Sequence, residues 1–257
     1  MTYCLSLLCQ EGIVFISDSR TNAGVDHVNV RPKMRVYTVE GDRLICLMTS
    51  GNLSLTQSVV ALIEEDLMLA KNEPTRPNLM NQPTLYETTR YVGAKVRQVD
   101  RLDRAALAAD GFGFNINLLI GGQIAGQPPE IHYVYPQGNS LKANRESPFL
   151  QIGESKYGKP LLDRGFTFET RLSEAVKFGI LSMEATMKSN IAVGPPLDVL
   201  AYRADSLCIE KRYRIEHDDP YLREIQQAWG NGLVKLVEAM PSLPFPGTPQ
   251  PGAFEIT

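Results

Sequence analysis

Between Tyr3 and Ser17 nearly every position is apolar, and only Gln10-Glu11-Gly12 interrupts the run. An alternating pattern would mark a strand wet on one face. A near-continuous apolar run cut by a turn signal predicts a hairpin buried on both faces, Tyr3 to Cys9 against Gly12 to Ser17. Asp18-Ser19-Arg20-Thr21-Asn22-Ala23-Gly24 is polar and turn-forming. A second hairpin follows, Met34 to Val39 and Arg43 to Met48 around Glu40-Gly41-Asp42. Thr49-Ser50-Gly51-Asn52 is expected to break that strand and open a helix, with Ser50 or Asn52 as N-cap.

The period then changes. Leu55, Val59, Leu62, Ile63 and Met68 recur at helical spacing, and a Pro-bearing loop spans Glu73 to Pro83. A second helix is expected from about Thr84 to Ala109, with Lys95, Arg97, Asp100, Arg101, Asp103 and Arg104 on an exposed face. Asn115 to Ile124 and Glu130 to Tyr135 form the next hairpin, and Phe149 to Ile152 a short strand. Gly153-Glu154-Ser155-Lys156-Tyr157-Gly158 then leads into a brief helix. Leu172, Val176, Gly179, Ile180, Met183 and Met187 stripe a third long helix. Strands at Leu197 to Arg203 and Ser206 to Ile215 and a helix from Pro220 to Ala239 complete the order. Blocks of antiparallel strands separated by helix pairs imply an α+β fold with two sheets face to face. No composition break or internal repeat divides it, so one domain is expected over residues 1–240. The tail over residues 241–257, rich in proline, should be extended and either disordered or laid on a neighbour.

Composition narrows the function. The 257 residues are 43% hydrophobic and 21% charged with a net charge of −3. Basic residues do not cluster, which argues against nucleic acid or an anionic membrane as partner. No apolar stretch approaches the ~20 residues of a membrane span, and no basic leader precedes an apolar run at the N-terminus. Cys4, Cys9, Cys46 and Cys208 form no CxxC pair, and on one strand Cys4 and Cys9 would face opposite ways. They read as small core residues in a reducing cytoplasm. His27, His132 and His217 lack metal-ligand spacing, so neither metal nor cofactor is expected.

The chemistry-bearing candidate is Thr2. Once Met1 is removed, Thr2 carries a hydroxyl and a free α-amine titrating near ~7.7–8.0, so one residue supplies nucleophile and base. Asp18 and Arg20 follow the second strand, Lys33 precedes the third, and Thr49-Ser50-Gly51 ends the fourth. If those strands are neighbours in one sheet, their ends could converge on Thr2. A lysine there would favour the neutral amine, an aspartate would hold that lysine charged, and the Gly51 N–H would receive an oxyanion. Singly, each residue has an ordinary explanation: a strand threonine, a turn aspartate, a solvated arginine, a helix-entry glycine.

Together, Thr2, Val14-Phe15-Ile16-Ser17-Asp18-Ser19-Arg20, Lys33-Met34 and Thr49-Ser50-Gly51 resemble the proteasome β-type subunits of the N-terminal-nucleophile hydrolases. The wording Ser17-Asp18-Ser19-Arg20-Thr21-Asn22-Ala23-Gly24-Val25-Asp26 looks most like the bacterial Anbu family. The similarity runs to about Ile215 and is strongest in the first 55 residues. It implies a four-layer αββα sandwich with Thr2 as nucleophile, Asp18 and Lys33 as its charge partners and Gly51 as oxyanion donor. Ser155 would match the serine that orders the amine and a water, and Arg20 and Asn190 would support the site. It further implies a threonine hydrolase of peptide, isopeptide or small amide bonds that assembles into stacked rings or an open helical ring. Two positions depart from the proteasome pattern, where an aspartate and, three residues on, a serine precede a glycine. Here the stretch reads Asn190-Ile191-Ala192-Val193-Gly194. The amine-ordering network is then weaker or differently built, which leaves a second reading open: a catalytically weak or inactive proteasome-like shell that binds peptide-like partners. No long propeptide is expected before Thr2, so activation would need only the loss of Met1.

Overall fold

The computed structural model describes residues 1–22 and 28–243. The apolar N-terminal run becomes β1 (Tyr3–Cys9) and β2 (Gly12–Asp18), every residue of both buried. Two-sided burial follows from position: β1 and β2 are interior strands of a sheet that also contains β10 (Phe149–Gly153), β11 (Leu197–Arg203) and β12 (Lys211–Ile215), in the order β10-β1-β2-β11-β12. A second antiparallel sheet runs β5 (Met34–Val39), β6 (Arg43–Gly51), β7 (Ile116–Ile124), β8 (Glu130–Val134) and β9 (Ser140–Lys142).

The period of two along β6 sorts its side chains into two cores. Leu44, Cys46 and Met48 point between the sheets, where they meet Cys4, Ile13, Phe15, Leu119 and Leu200. Ile45 and Leu47 point the other way, onto Leu55, Val59, Ile63, Val92 and Val96. That second core is the underside of α1 (Leu53–Leu69) and α2 (Leu85–Ala109). On the opposite flank, α4 (Leu172–Ser189) and the brief α3 (Lys159–Gly165) cover the first sheet; Gly179 of α4 lies directly over Ile16 and Leu7. The result is the four-layer αββα sandwich, an α+β fold. Each large side chain so buried contributes about 1.5–3 kcal/mol to the stability of the layers that carry the site.

The chain divides into two compact units, Met1–Asp219 and Pro220–Thr257. The second holds α5 (Pro220–Glu238), an amphipathic helix with Val234, Leu236 and Val237 exposed. The proline-rich stretch at 244–257 lies outside the described residues, as do residues 23–27 with Val25, Asp26 and His27.

Several expectations need correction. Asp18 does not follow the second strand but closes it, paired with Leu197. Thr49-Ser50-Gly51 does not break β6: the strand runs through Gly51, opposite Ile116, because β7 supplies a ladder to its end. Asn52 is the cap of α1, its side chain accepting from Ser54 N at 2.9 Å. The polar stretch after Asp18 is not only a turn, since β3 (Arg20–Asn22) and β4 (Val28–Val30) pair as a small ladder. Strand β9 was not expected; its three residues are too few to leave a pattern. Strand β12 starts at Lys211 rather than Ser206, because Asp205 and Leu207 adopt φ of 65° and 47°, which belong to a turn. Lys95 and Arg97 leave the exposed face of α2: Lys95 pairs with Asp66 of α1, and Arg97 donates to Gly138 O at 2.8 Å.

Candidate active site

The register of β1 on β2 sets Cys4 opposite Ser17, which brings Tyr3 to Asp18. The Tyr3 amide donates to Asp18 Oδ1 at 2.9 Å. Lys33, at the entry to β5, donates to the same oxygen at 2.8 Å and to Arg20 O at 2.7 Å. Its ammonium also reaches Met1 O at 3.4 Å, the carbonyl of the Met1–Thr2 peptide bond. Lys33 is 7% exposed and Asp18 fully buried, so this pair is removed from water and held in one geometry. Burial pushes the Asp18 carboxyl above its usual range, with the Lys33 ammonium and the Tyr3 amide pulling it back. Asp18 Oδ2 is buried without a hydrogen-bond partner among the described residues.

Thr2 is fixed from the other side by β10. Glu154 N donates to Thr2 O at 2.8 Å. Gly153 adopts φ of 86°, and a Cβ there would lie 1.9 Å from Thr2 O, so only glycine permits this approach. Gly51 is constrained in the same way at the end of β6, with φ of 107° and Asn115 O 2.4 Å from an added Cβ. Asn52 N bonds Asn115 O, and Thr49 N bonds Lys33 O. Antiparallel alternation therefore turns the intervening Gly51 N–H away from β7 and toward the side where β5 has already ended. Gly51 and Thr2 both line the two cavities at this point.

Two cavities meet along the line from Thr2 to Gly51. One, of about 560 Å³, is bounded by Ser155, Gln151, Tyr133, Asn115 and Asn117. The other, of about 170 Å³, is bounded by Lys33, Arg31, Arg35, Thr49 and Gln57. Thr2, Asp18, Lys33, Gly51 and Ser155 thus come from the residue before β1, the end of β2, the entry to β5, the end of β6 and the turn after β10. Arg20 and Asn190 stand further back. Arg20 donates to Ile191 O at 2.7 Å and so ties β3 to the loop after α4. Asn190 donates to Glu154 Oε2 at 2.9 Å and accepts from Ala192 N at 3.0 Å. Val193 is buried and apolar.

Several residues at the site were not singled out from sequence. Glu154 is 8% exposed and supplies a carboxylate where Asn190 supplies none. Tyr3 sits buried behind Thr2, its hydroxyl hydrogen-bonded with Ser182 Oγ at 2.7 Å and accepting from Gln151 Nε2; burial pushes it up to about 12. Tyr133 donates to Asn117 Oδ1 at 2.7 Å on the cavity wall. These side chains lie far apart in sequence, and no local spacing links them. Among the described residues, no three His, Cys, Asp or Glu side chains cluster as metal ligands.

No family model matches the chain. Among solved structures, Anbu (ancestral beta-subunit) from Yersinia bercovieri is 41% identical, covering 95% of this chain and 99% of that one with a TM-score of 0.87. The helical assembly of the Anbu complex from Pseudomonas aeruginosa is 40% identical, covering 96% and 100%, with a TM-score of 0.88. Among curated proteins, a proteasome subunit beta of Archaeoglobus fulgidus is 24% identical over 208 residues, 79% of this chain and 86% of that protein.

Proposed function

The chain belongs to the Anbu family of proteasome-like subunits, and from that premise we propose that it is an N-terminal-nucleophile hydrolase of amide bonds with Thr2 as nucleophile. The observation that carries this reading is Lys33, whose ammonium touches both Asp18 and the carbonyl joined to the Thr2 nitrogen. Loss of Met1 leaves a primary amine beside that fixed positive charge. Like-charge repulsion keeps the amine neutral, so it accepts the Oγ proton through a water as Oγ attacks a carbonyl. The Gly51 N–H receives the developing oxyanion, a donor worth about 10²–10³ in rate in comparable sites. The amide C–N bond then breaks as the leaving nitrogen takes the proton held by the Thr2 amine, and water admitted through the larger cavity, past Ser155, hydrolyses the acyl–Oγ ester to free the acid and restore Thr2. The substrate is a peptide, isopeptide or small amide.

The proposal extends to assembly. The Pseudomonas relative is described as a helical assembly, and the exposed Val234, Leu236 and Val237 along α5 support self-association of this chain in stacked rings or an open helical ring. Three buried free cysteines support a cytoplasmic setting, and no described helix is long and apolar enough to cross a membrane.

A second reading is favoured by one specific observation. Asn190 and Val193 place an amide and a methyl-bearing side chain where a carboxylate and a hydroxyl would complete a proteasome site. On that reading the protein is an inactive shell that binds peptide-like partners. Intact-mass measurement separates the two. The hydrolase begins at Thr2 and gains the mass of a small β-lactone on that residue. Protein that starts at Thr2 and never labels at millimolar probe is the shell.

A further inference from the structure

The smaller cavity beside Thr2 has an unusual lining for its size. Within about 170 Å³ it collects the three basic side chains Arg31, Lys33 and Arg35, with Thr49, Thr56 and Gln57 as neutral hydrogen-bonding groups. The three cations differ in what already neutralises them. Lys33 is committed to Asp18 at 2.8 Å. Arg35 has only a loose, solvent-exposed contact with Glu64, Nε to Oε1 at 3.6 Å, too long for a hydrogen bond. Arg31 uses its backbone amide to bond Ser19 O, but its guanidinium has no acidic partner among the described residues. Among the described residues, the pocket beside Thr2 therefore carries positive charge that Asp18 and the loosely held Glu64 only partly offset. The larger cavity is different: its polar side chains, Gln151, Asn115, Asn117, Tyr133 and Ser155, are neutral.

We propose that the small cavity accepts a carboxylate, so that the preferred substrate bears an acidic side chain, Asp or Glu, on the residue whose carbonyl Thr2 attacks. The inference rests on the Thr2 reading above and names the substrate class of that same site. Size supports the placement: a cavity of about 170 Å³ takes one side chain, while the 560 Å³ cavity has room for extended peptide and water. Chemistry supports it as well. Two guanidinium groups offer paired N–H donors that match a carboxylate, and such charge-assisted bonds are about twice as strong as neutral ones. An amide isostere cannot replace the acid without placing its NH₂ against these donors, and a lysine would add a fourth cation. Discrimination arises from that repulsion as much as from attraction.

The test uses processed full-length protein and tripeptide epoxyketones that differ only at the residue bearing the electrophile: Glu, Gln, Leu or Lys. Labelling at Thr2 is followed by intact mass. The Glu probe is expected to label about tenfold or more faster than the Gln probe, because a site built to hydrogen-bond one group rejects the analogue lacking it. The preference should shrink as salt rises and collapse toward unity in the Arg31→Gln, Arg35→Gln double variant, while Arg31→Lys retains part of it. Thermal melts of both variants show whether the fold is intact. Equal or faster labelling by Gln or Leu, with Thr2 still labelled by a small β-lactone, overturns the carboxylate pocket and leaves the nucleophile standing. A preference for Asp or Glu that appears only on the residue after the cleaved bond, read with a panel of peptide substrates, overturns the placement. Failure of the β-lactone itself to label Thr2 removes both proposals.

Discussion

The Asn190 side-chain amide donates to Glu154 Oε2 at 2.9 Å. Glu154 in turn reaches Thr2 through its backbone, donating to Thr2 O at 2.8 Å. The asparagine in place of a proteasome aspartate is thus matched to a carboxylate from the neighbouring loop, and one negative charge occupies the position rather than two. Restoring the aspartate should therefore harm this protein. Asn190→Asp sets two carboxylates against each other, 8% exposed at Glu154, and is expected to cost about 1–3 kcal/mol in urea denaturation at pH 7. The deficit should narrow as pH falls, because like-charge crowding favours a proton on the new pair. Adding Glu154→Gln should recover most of it. A stable Asn190→Asp single variant would mean that Glu154 turns away from Asn190.

Removing the ammonium at the centre of the site should be more damaging. Lys33→Met leaves the fully buried Asp18 carboxylate with the Tyr3 amide alone. An uncompensated buried charge costs about 3–5 kcal/mol unless it protonates. Chemical denaturation reads the loss, and Lys33→Met with Asp18→Asn should regain much of it. Thr2 labelling should be absent in both variants, since stability and chemistry depend on the lysine separately.

Asp18 gives a pH signature whose sign follows from its shift. Burial raises the folded carboxyl above its unfolded value of ~3.9. Its contribution to stability is then fully present below ~3.9 and is lost as pH rises through the folded value. The stability of the native protein relative to Asp18→Asn should consequently fall as pH rises above ~3.9, measured by urea titration at each pH. A flat difference would show that Asp18 titrates normally.

The rate of Thr2 labelling should have its own acid limb. A free α-amine titrates near ~7.7–8.0, and the adjacent Lys33 charge favours its neutral form, so the midpoint should lie below ~7.7. A pseudo-first-order labelling series from pH 5 to pH 9 locates it. A rate independent of pH across that range would exclude the amine as base.

Gly51 is tested by a single methyl group. Gly51→Ala meets Asn115 O at 2.4 Å and forces alanine to φ of 107°. Strain of about 1–3 kcal/mol should lower the melting temperature, and any shift of the amide should slow Thr2 labelling by more than the melt predicts. An alanine variant that melts and labels like the native protein would dismiss this amide as oxyanion donor.

The layered α+β architecture was written in the sequence because its signals are local. Tyr3 to Asp18 can only be a hairpin covered on both sides, and the stripes of α1 and α4 need sheets beneath them. The order of the blocks follows, as does the nearness of Thr2 to Asp18, since neighbouring strands of a hairpin share an edge; that Lys33, at the entry to a strand of the other sheet, meets Asp18 was decided by the packing of the two sheets. Tertiary structure decided what locality cannot carry. Strand β6 continues to Gly51 because β7, more than sixty residues later, offers it a partner. Arg20 donates to Ile191 O, and Asn190 finds Glu154, because α4 delivers its terminal loop to the turn after β10. The charge lining the small cavity is equally invisible in one dimension, where Arg31 and Arg35 are two cations among twenty-six. Periodicity reports which face of an element is dry; only the packed chain shows which polar groups meet once that face is covered.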